Sequence, residues 1–254
     1  MSGDRTAPGA SRAPDASRTP DGPRASGASR AADAGRTPDA SAASHASGAA
    51  GTPAAYFEDM YRDASDPWHL AERWYERRKY DLTLAVLPLP RYRRAFEPAC
   101  SVGELTVRLA ERCDRVVACD RVESAVATAR ERTSALPHVD VRHLTVPDQW
   151  PSGGFDLIVL SELLYYFDAP TLDRVLDLAA GSLEPGGTLA TVHWNHPVPD
   201  HRGTGATLAR TVAAVPGLTL TADHREADFV LQVYERTGPD GAAVLSPAAR
   251  EGLV

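Results

Sequence analysis

Residues 94–120 read R-A-F-E-P-A-C-S-V-G-E-L-T-V-R-L-A-E-R-C-D-R-V-V-A-C-D. A short apolar run, Ala95-Phe96, leads into the turn Glu97 to Gly103. Leu105, Leu109 and Cys113 then recur at roughly helical spacing. Arg115 to Cys119 is a second short apolar run, and it ends at Asp120. The pattern is strand, glycine turn, helix, strand.

Working outward, the same alternation continues. Val122, Ala125, Val126 and Ala129 share one helical face, and a strand follows near Val139 to Leu144. Phe155 to Leu160 (F-D-L-I-V-L) is a continuous apolar run, as expected of a strand buried on both faces. Leu172, Val175, Leu176 and Ala179 mark a helix ending around Pro185-Gly186-Gly187, and Thr188 to His193 is the next strand. A helix near Thr207 to Val215 precedes two last strands, Leu218 to Ala222 and Asp228 to Tyr234. Only A-D-H-R-E-A-D joins them, too short for a parallel crossover, so they are expected to form an antiparallel hairpin. The predicted fold is α/β: a doubly wound, mostly parallel sheet with helices on both faces and a C-terminal antiparallel hairpin.

Upstream, the composition changes character. Residues 2–55 contain no Val, Ile, Leu, Met, Phe, Trp, Tyr or Cys, and Arg12, Arg18, Arg24, Arg30 and Arg36 recur every six residues. Such a segment buries too little to offset its ordering entropy, so residues 1–55 are expected to be a disordered, low-complexity tail. Residues 56–236 are expected to form one domain and 237–254 a C-terminal tail. The 254 residues carry 34 acidic and 27 basic side chains, and the tail is nearly neutral, so the domain is acidic. That disfavours a nucleic-acid surface. No apolar run approaches the ~20 residues of a membrane helix, and no leader-like segment opens the chain. The expectation is a cytoplasmic protein without a membrane partner. Cys100, Cys113 and Cys119 are odd in number and lack C-x-x-C spacing, which points to buried thiols and to no metal site. Oligomeric state is not legible.

Aromatic residues begin abruptly at Tyr56: Phe57, Tyr61, Trp68, Trp74, Tyr75 and Tyr80 follow. Asp66-Pro67 is a plausible helix start, with Leu70, Trp74, Leu82 and Val86 inward, Glu76, Arg77 and Arg78 on the wet side, and a stop at Pro88. This cap either covers the sheet or closes over a ligand.

The turn Glu97 to Gly103 lies where backbone amides face a bound ligand, and Gly103 allows close approach. Asp120, at the end of the second strand, is placed to accept two hydrogen bonds from a ribose diol. The G-K-[ST] of a phosphate loop is missing, and one glycine is too few for a dinucleotide fingerprint. What remains is a nucleoside ligand without a pyrophosphate, a description that S-adenosylmethionine fits.

The stretches E-P-A-C-S-V-G-E-L-T, V-V-A-C-D-R-V-E-S-A-V-A-T-A-R, F-D-L-I-V-L-S-E-L-L-Y-Y and L-E-P-G-G-T-L resemble class I S-adenosylmethionine-dependent methyltransferases. The opening Y-F-E-D-M-Y-R-D-A-S-D-P-W-H, with W-Y-E-R-R-K-Y, H-W and D-F-V-L-Q-V-Y-E-R, is similar to the nodulation protein S group, which N-methylates the free amine of deacetylated chitooligosaccharides. The resemblance covers about residues 56–236. It implies that Glu97, Ala99, Ser101 and Gly103 wrap the methionine part of the cofactor, that Asp120 holds the ribose, and that Arg121 and Val122 flank the adenine. Ser161 joins the cofactor residues. The family usually has glycine at Ala99 and Ser101 and often an acid at Thr145, where the backbone of neighbouring Val146 offers substitute hydrogen bonds. G-T-G-A-T from Gly203 also departs from the family's usual G-D-x-V-H, on the expected acceptor side.

Methyl transfer from a sulfonium needs alignment and a path for a proton. Glu162 and His193, after the fourth and at the end of the fifth strand, are the candidate catalytic pair. Tyr165, Tyr166, Trp194 and Trp68 are candidate acceptor contacts, with only one of the two tyrosines expected to reach the acceptor. The expected activity is methylation of a small-molecule acceptor, an amine of a sugar-like or secondary-metabolite compound. N- and O-methylation are not separated by the sequence. Two other readings stand beside it: a degenerate cofactor-binding scaffold, motivated by Ala99, Ser101, Thr145 and Thr204, and a nicotinamide-dependent oxidoreductase.

Overall fold

The computed structural model describes residues 51–238 and 244–254. In chain order the elements are α1 (Ala54–Asp63), α2 (Trp74–Val86), β1 (Ala95–Pro98), α3 (Glu104–Arg112), β2 (Val116–Asp120), α4 (Glu123–Arg132), β3 (Val139–His143) and β4 (Phe155–Ser161). A single 3-10 turn (Leu164–Tyr166) leads to α5 (Ala169–Ser182), β5 (Leu183–Trp194), α6 (Gly205–Ala213), β6 (Leu218–Arg225), β7 (Phe229–Arg236) and the short α7 (Pro247–Arg250). The tail expected over residues 1–55 lies outside the described residues except for its last five.

One sheet runs in the order β3-β2-β1-β4-β5-β7-β6. The first five strands are parallel, and β7 is antiparallel to both β5 and β6. The strand order reverses between β1 and β4, so the carboxyl ends of those two strands open the crevice where ligands bind in doubly wound sheets. The expected hairpin is present and tighter than read: β6 extends to Arg225 and the turn is residues 226–228.

Central β4 has residues buried on both faces, as its unbroken apolar run requires. Leu157 and Val159 meet Tyr80, Leu105, Leu109, Val126 and Ala129 on one side, and Ile158 and Leu160 meet Val175, Leu176, Leu208 and Val212 on the other. The three cysteines are free and buried. Residues 237–254, expected as a tail, include α7, whose Arg250 pairs with Glu235 of β7. Among the described residues no helix is long and apolar enough to cross a membrane.

The aromatic cap differs from its sequence reading in two respects. It is two helices, because residues 66–73 form a turn in which Asp66 accepts the Ala71 N–H at 3.0 Å and His69 takes a left-handed backbone. Helix α2 is also rotated from the expected phase. Trp74 is 68% exposed, while Glu76, Lys79, Tyr80 and Thr83 line the inward stripe. Leu82 and Val86 still pack, on the cluster of Val192, Phe229 and Leu231. A lysine and a glutamate can face inward because they neutralise each other and meet a third charge at the site.

Candidate functional site

The turn after β1 is a chain of left-handed residues: Ala99 (φ 58°), Ser101 (φ 50°) and Gly103 (φ 78°). A residue with a Cβ costs about 1–2 kcal/mol in this region, which explains why glycine suits the first two positions. Gly103 is required for a second reason that differs from the expected one. A Cβ there would lie 3.0 Å from the Ala129 Cβ, so it is α4 packing, more than ligand approach, that excludes a side chain. The turn is tied to β2 by the Cys100 N–H donating to the Cys119 carbonyl at 2.9 Å.

Asp120 ends β2 and is 8% exposed. Its two oxygens accept the Ser101 and Val122 N–H groups, each at 2.9 Å. Burial raises its pKa, and those backbone bonds work against the rise. A carboxylate offers about four acceptor sites, so the two bonds at 2.9 Å do not exhaust its capacity to accept from a ribose hydroxyl. Glu97, buried at the end of β1, accepts the Thr106 hydroxyl at 2.6 Å, and burial pushes its carboxyl up to about 8. These features fit S-adenosylmethionine: spare acceptor capacity at the ribose position, and a buried carboxyl beside the turn for a cationic amino group.

The adenine side is less complete. Arg121 lies with its guanidinium carbon 5.5 Å from the Phe57 ring centroid and donates to the Thr52 carbonyl at 3.4 Å. The Thr145 N–H is already spent on the Gln149 side chain at 2.7 Å, which leaves partly buried Val146 as an apolar contact beside Phe96 and Trp150. Ser161, partly buried, ends β4 next to Glu162.

Glu162, just after β4, gathers hydrogen bonds from three separate elements. Its backbone is left-handed, φ 52°. Lys79 Nζ donates to Oε1 at 2.7 Å, while the Tyr165 hydroxyl and the Trp194 N–H donate to Oε2 at 2.5 and 2.9 Å. Burial opposes ionisation, but the Lys79 ammonium, His193 and the hydrogen bonds together hold the carboxyl below its usual pKa. Lys79 also pairs with Glu76 at 2.8 Å. Burial, helped by the Glu162 charge, pushes the Glu76 carboxyl up against Lys79.

His193 occupies a different position from the one its reading as a base requires. It is 2% exposed, and its Nε2 accepts the Leu164 N–H at 3.2 Å, so the ring supports the 3-10 turn. Burial takes its pKa down to about 4, and it is therefore neutral near pH 7. Tyr165 and Tyr166 were expected to diverge. Instead both meet the His201 ring, stacked at 3.7 Å for Tyr165 and edge-on at 5.0 Å for Tyr166. Trp194 packs edge-on to Tyr75 at 5.8 Å. Trp68, expected as an acceptor contact, is not brought together with Glu162: it meets Tyr61 at 5.5 Å over Val102, Val122 and Ala125, beneath the turn after β1.

Helix α1 closes over both halves. Tyr61 shares a hydrogen bond with the Ser101 hydroxyl, Phe57 packs on Tyr166 at 4.9 Å, and Tyr56 donates to Asp200 at 3.2 Å. The sequence reading missed Lys79, Tyr61 and His201. Lys79 lay in a helix whose charged residues were assigned to water, and His201 lies in a loop without periodicity.

Residues 95–187 match the profile of a methyltransferase domain. A Pseudomonas syringae protein of known crystal structure, assigned as a methyltransferase, is 45% identical with a TM-score of 0.57, covering 65% of this chain and all (100%) of that one. The N-methyltransferase NodS of Bradyrhizobium japonicum WM9, crystallised with S-adenosyl-L-homocysteine, is 25% identical with a TM-score of 0.61, covering 72% of this chain and 98% of that one. Nodulation protein S of Rhizobium tropici is 29% identical over 181 residues, 66% of this chain and 74% of that protein.

Proposed function

The chain belongs to the class I S-adenosylmethionine-dependent methyltransferases, and from that premise we propose that it N-methylates an amine of a sugar-like or secondary-metabolite small molecule. The observation that carries this reading is the charge around Glu162: two carboxylates, Glu76 and Glu162, share the single Lys79 ammonium. A site with a surplus of negative charge favours a cationic acceptor over a neutral hydroxyl. O-methylation of a weakly acidic hydroxyl would call for a stronger base, and His193 has its Nε2 committed to Leu164. The likeness to an N-methyltransferase points the same way.

When bound, the cofactor supplies a methyl group already activated on a sulfonium. The protein's part is alignment. The Asp120 oxygens would hold the ribose hydroxyls, and Glu97 with the turn through Ala99, Ser101 and Gly103 would hold the methionine part. Arg121 and Val122 would flank the adenine, with Thr145, Val146 and Ser161 as the neighbouring cofactor residues. Glu162 holds the cationic acceptor by hydrogen bonds and takes its proton, passing it on to solvent, so that the freed lone pair of the amine can lie in line with the methyl. Tyr165, Tyr166 and Trp194 surround the acceptor, and Tyr165 hands Glu162 its orientation through the 2.5 Å bond.

Turnover tests the reading. S-adenosylhomocysteine is expected to form from glucosamine oligosaccharides or other small primary amines, and not from their N-acetylated counterparts. Methylation of hydroxyl compounds alone, with no amine accepted, would overturn it.

A further inference from the structure

We propose that Lys79 is a positioning residue of the transfer reaction, holding the Glu162 carboxylate ionised and in one orientation for the acceptor. The inference rests on the reading of Glu162 given above and deepens it.

Three observations meet at this residue. Lys79 Nζ lies 2.7 Å from Glu162 and 2.8 Å from Glu76. The lysine side chain is 2% exposed, whereas that of Glu162 keeps 24%, so the glutamate is the member of the pair nearer to solvent and Lys79 is the one held inside. Glu162 also holds a left-handed backbone, φ 52°, a conformation that persists only where surrounding contacts over-determine it. Lys79 from α2, Tyr165 from the 3-10 turn and the Trp194 N–H from β5 supply those contacts from three separate elements.

The mounting is rigid. Helix α2 packs Tyr75, Leu82 and Val86 onto Val192, Phe229 and Leu231 of the sheet. The Tyr75 ring centroid lies 5.2 Å from Nζ. The groups that face the carboxylate are therefore Lys79, Glu76, Tyr75 and Tyr80 from α2, Tyr165 and Tyr166 from the turn, and His193 and the Trp194 backbone from β5, with His201 stacked behind Tyr165. Of these, Lys79 alone carries a fixed positive charge at hydrogen-bond distance. Remove it, and Glu162 is left beside Glu76 with no compensating cation, so the carboxyl takes up a proton at higher pH and loses its preferred direction.

Two measurements decide the matter. The first needs no acceptor: a double-mutant cycle on unfolding with Lys79→Met, Glu162→Gln and the pair. The double variant is expected to unfold at higher urea than Lys79→Met alone, because the stranded carboxylate has gone; losses that simply add would overturn the coupling. The second reads turnover on a glucosamine oligosaccharide. In Lys79→Met, kcat is expected to fall about 100-fold, as for a reacting group displaced by about 1 Å. The acidic limb of the kcat against pH profile should move upward by about one pH unit or more, from the loss of the nearest opposite charge. Affinity for S-adenosylhomocysteine stays within about threefold, a change under about 0.7 kcal/mol. Lys79→Arg, which keeps the charge, is expected to restore most of the acidic limb, provided its urea midpoint shows it folded. An unmoved limb, or equal losses in Lys79→Arg and Lys79→Met, would reduce Lys79 to a structural residue and sink the proposal. A wild-type protein that methylates no amine would instead strike the acceptor reading, with the unfolding cycle still deciding whether Lys79 clamps Glu162.

Discussion

Ala99, Ser101 and Glu162 share an unusual property: each is a residue with a Cβ held at positive φ, and all three border the crevice where the strand order reverses. Such strain is tolerated where neighbours over-determine it. At Ser101 these are the bonds to Asp120 and Tyr61, and at Glu162 they are Lys79, Tyr165 and Trp194. Glu97 makes a different residue-scale statement, about protons. Burial brings its carboxyl to about 8 in the folded protein, against about 4.5 for an ordinary glutamate. Between those values the unfolded chain releases a proton that the native state keeps, so stability falls as pH rises from about 4.5 to about 8 and this contribution levels off beyond. Buried His193, held down at about 4, contributes the opposite slope up to about 6.5, so urea midpoints are expected to fall between about pH 6.5 and 8 in the wild type and to flatten there in Glu97→Gln; an unchanged slope in the variant would assign the effect elsewhere. Asp120 was legible because a strand end places it, whatever its neighbours. His201 was not, since its position depends on Tyr165 and Tyr166, which lie 35 or more residues earlier in the chain.

At the scale of elements, the sequence was most informative where burial is symmetrical or connections are short. A run such as F-D-L-I-V-L reads as β4 because both of its faces are covered, so no face has to be chosen. The β6–β7 hairpin followed from a linker too short to cross over. Helix α2 was harder. Its aromatic and charged residues permit two rotations, and hydrophobicity favours the one with Trp74 inside. The observed rotation turns Trp74 out and Glu76 and Lys79 in, because Lys79 finds Glu162 at 2.7 Å across the fold. The consequence is measurable. Trp74→Ser is expected to change stability by no more than about 0.5 kcal/mol, as for an ordinary surface site. Tyr80→Ala, on the buried stripe at 5% exposure, is expected to cost about 3–5 kcal/mol. Comparable urea midpoints for the two variants would contradict the rotation.

For the whole molecule, the aromatic cap joins the two halves of the site, since α1 touches the cofactor turn through Tyr61, the adenine side through Phe57 and the acceptor side through Tyr56 and Phe57. Tyr61→Phe removes one hydrogen bond between cap and turn, worth about 1 kcal/mol. It is therefore expected to weaken S-adenosylhomocysteine binding about fivefold by calorimetry; unchanged affinity would mean that the cap contributes nothing to cofactor binding. By itself the sequence determined the strand and helix alternation, the terminal hairpin, the nucleoside character of the ligand and the place of Asp120. All of these depend on periodicity, linker length or position at a strand end, which are local properties of the chain. Only the tertiary structure decided that Lys79 faces inward, that His193 supports a turn, and that Trp68 packs under the turn after β1 with Tyr61. Those outcomes depend on which distant group neutralises a charge or accepts a hydrogen bond. Burial makes that choice decisive, because an unpaired charge or donor inside the protein costs several times what a satisfied one contributes.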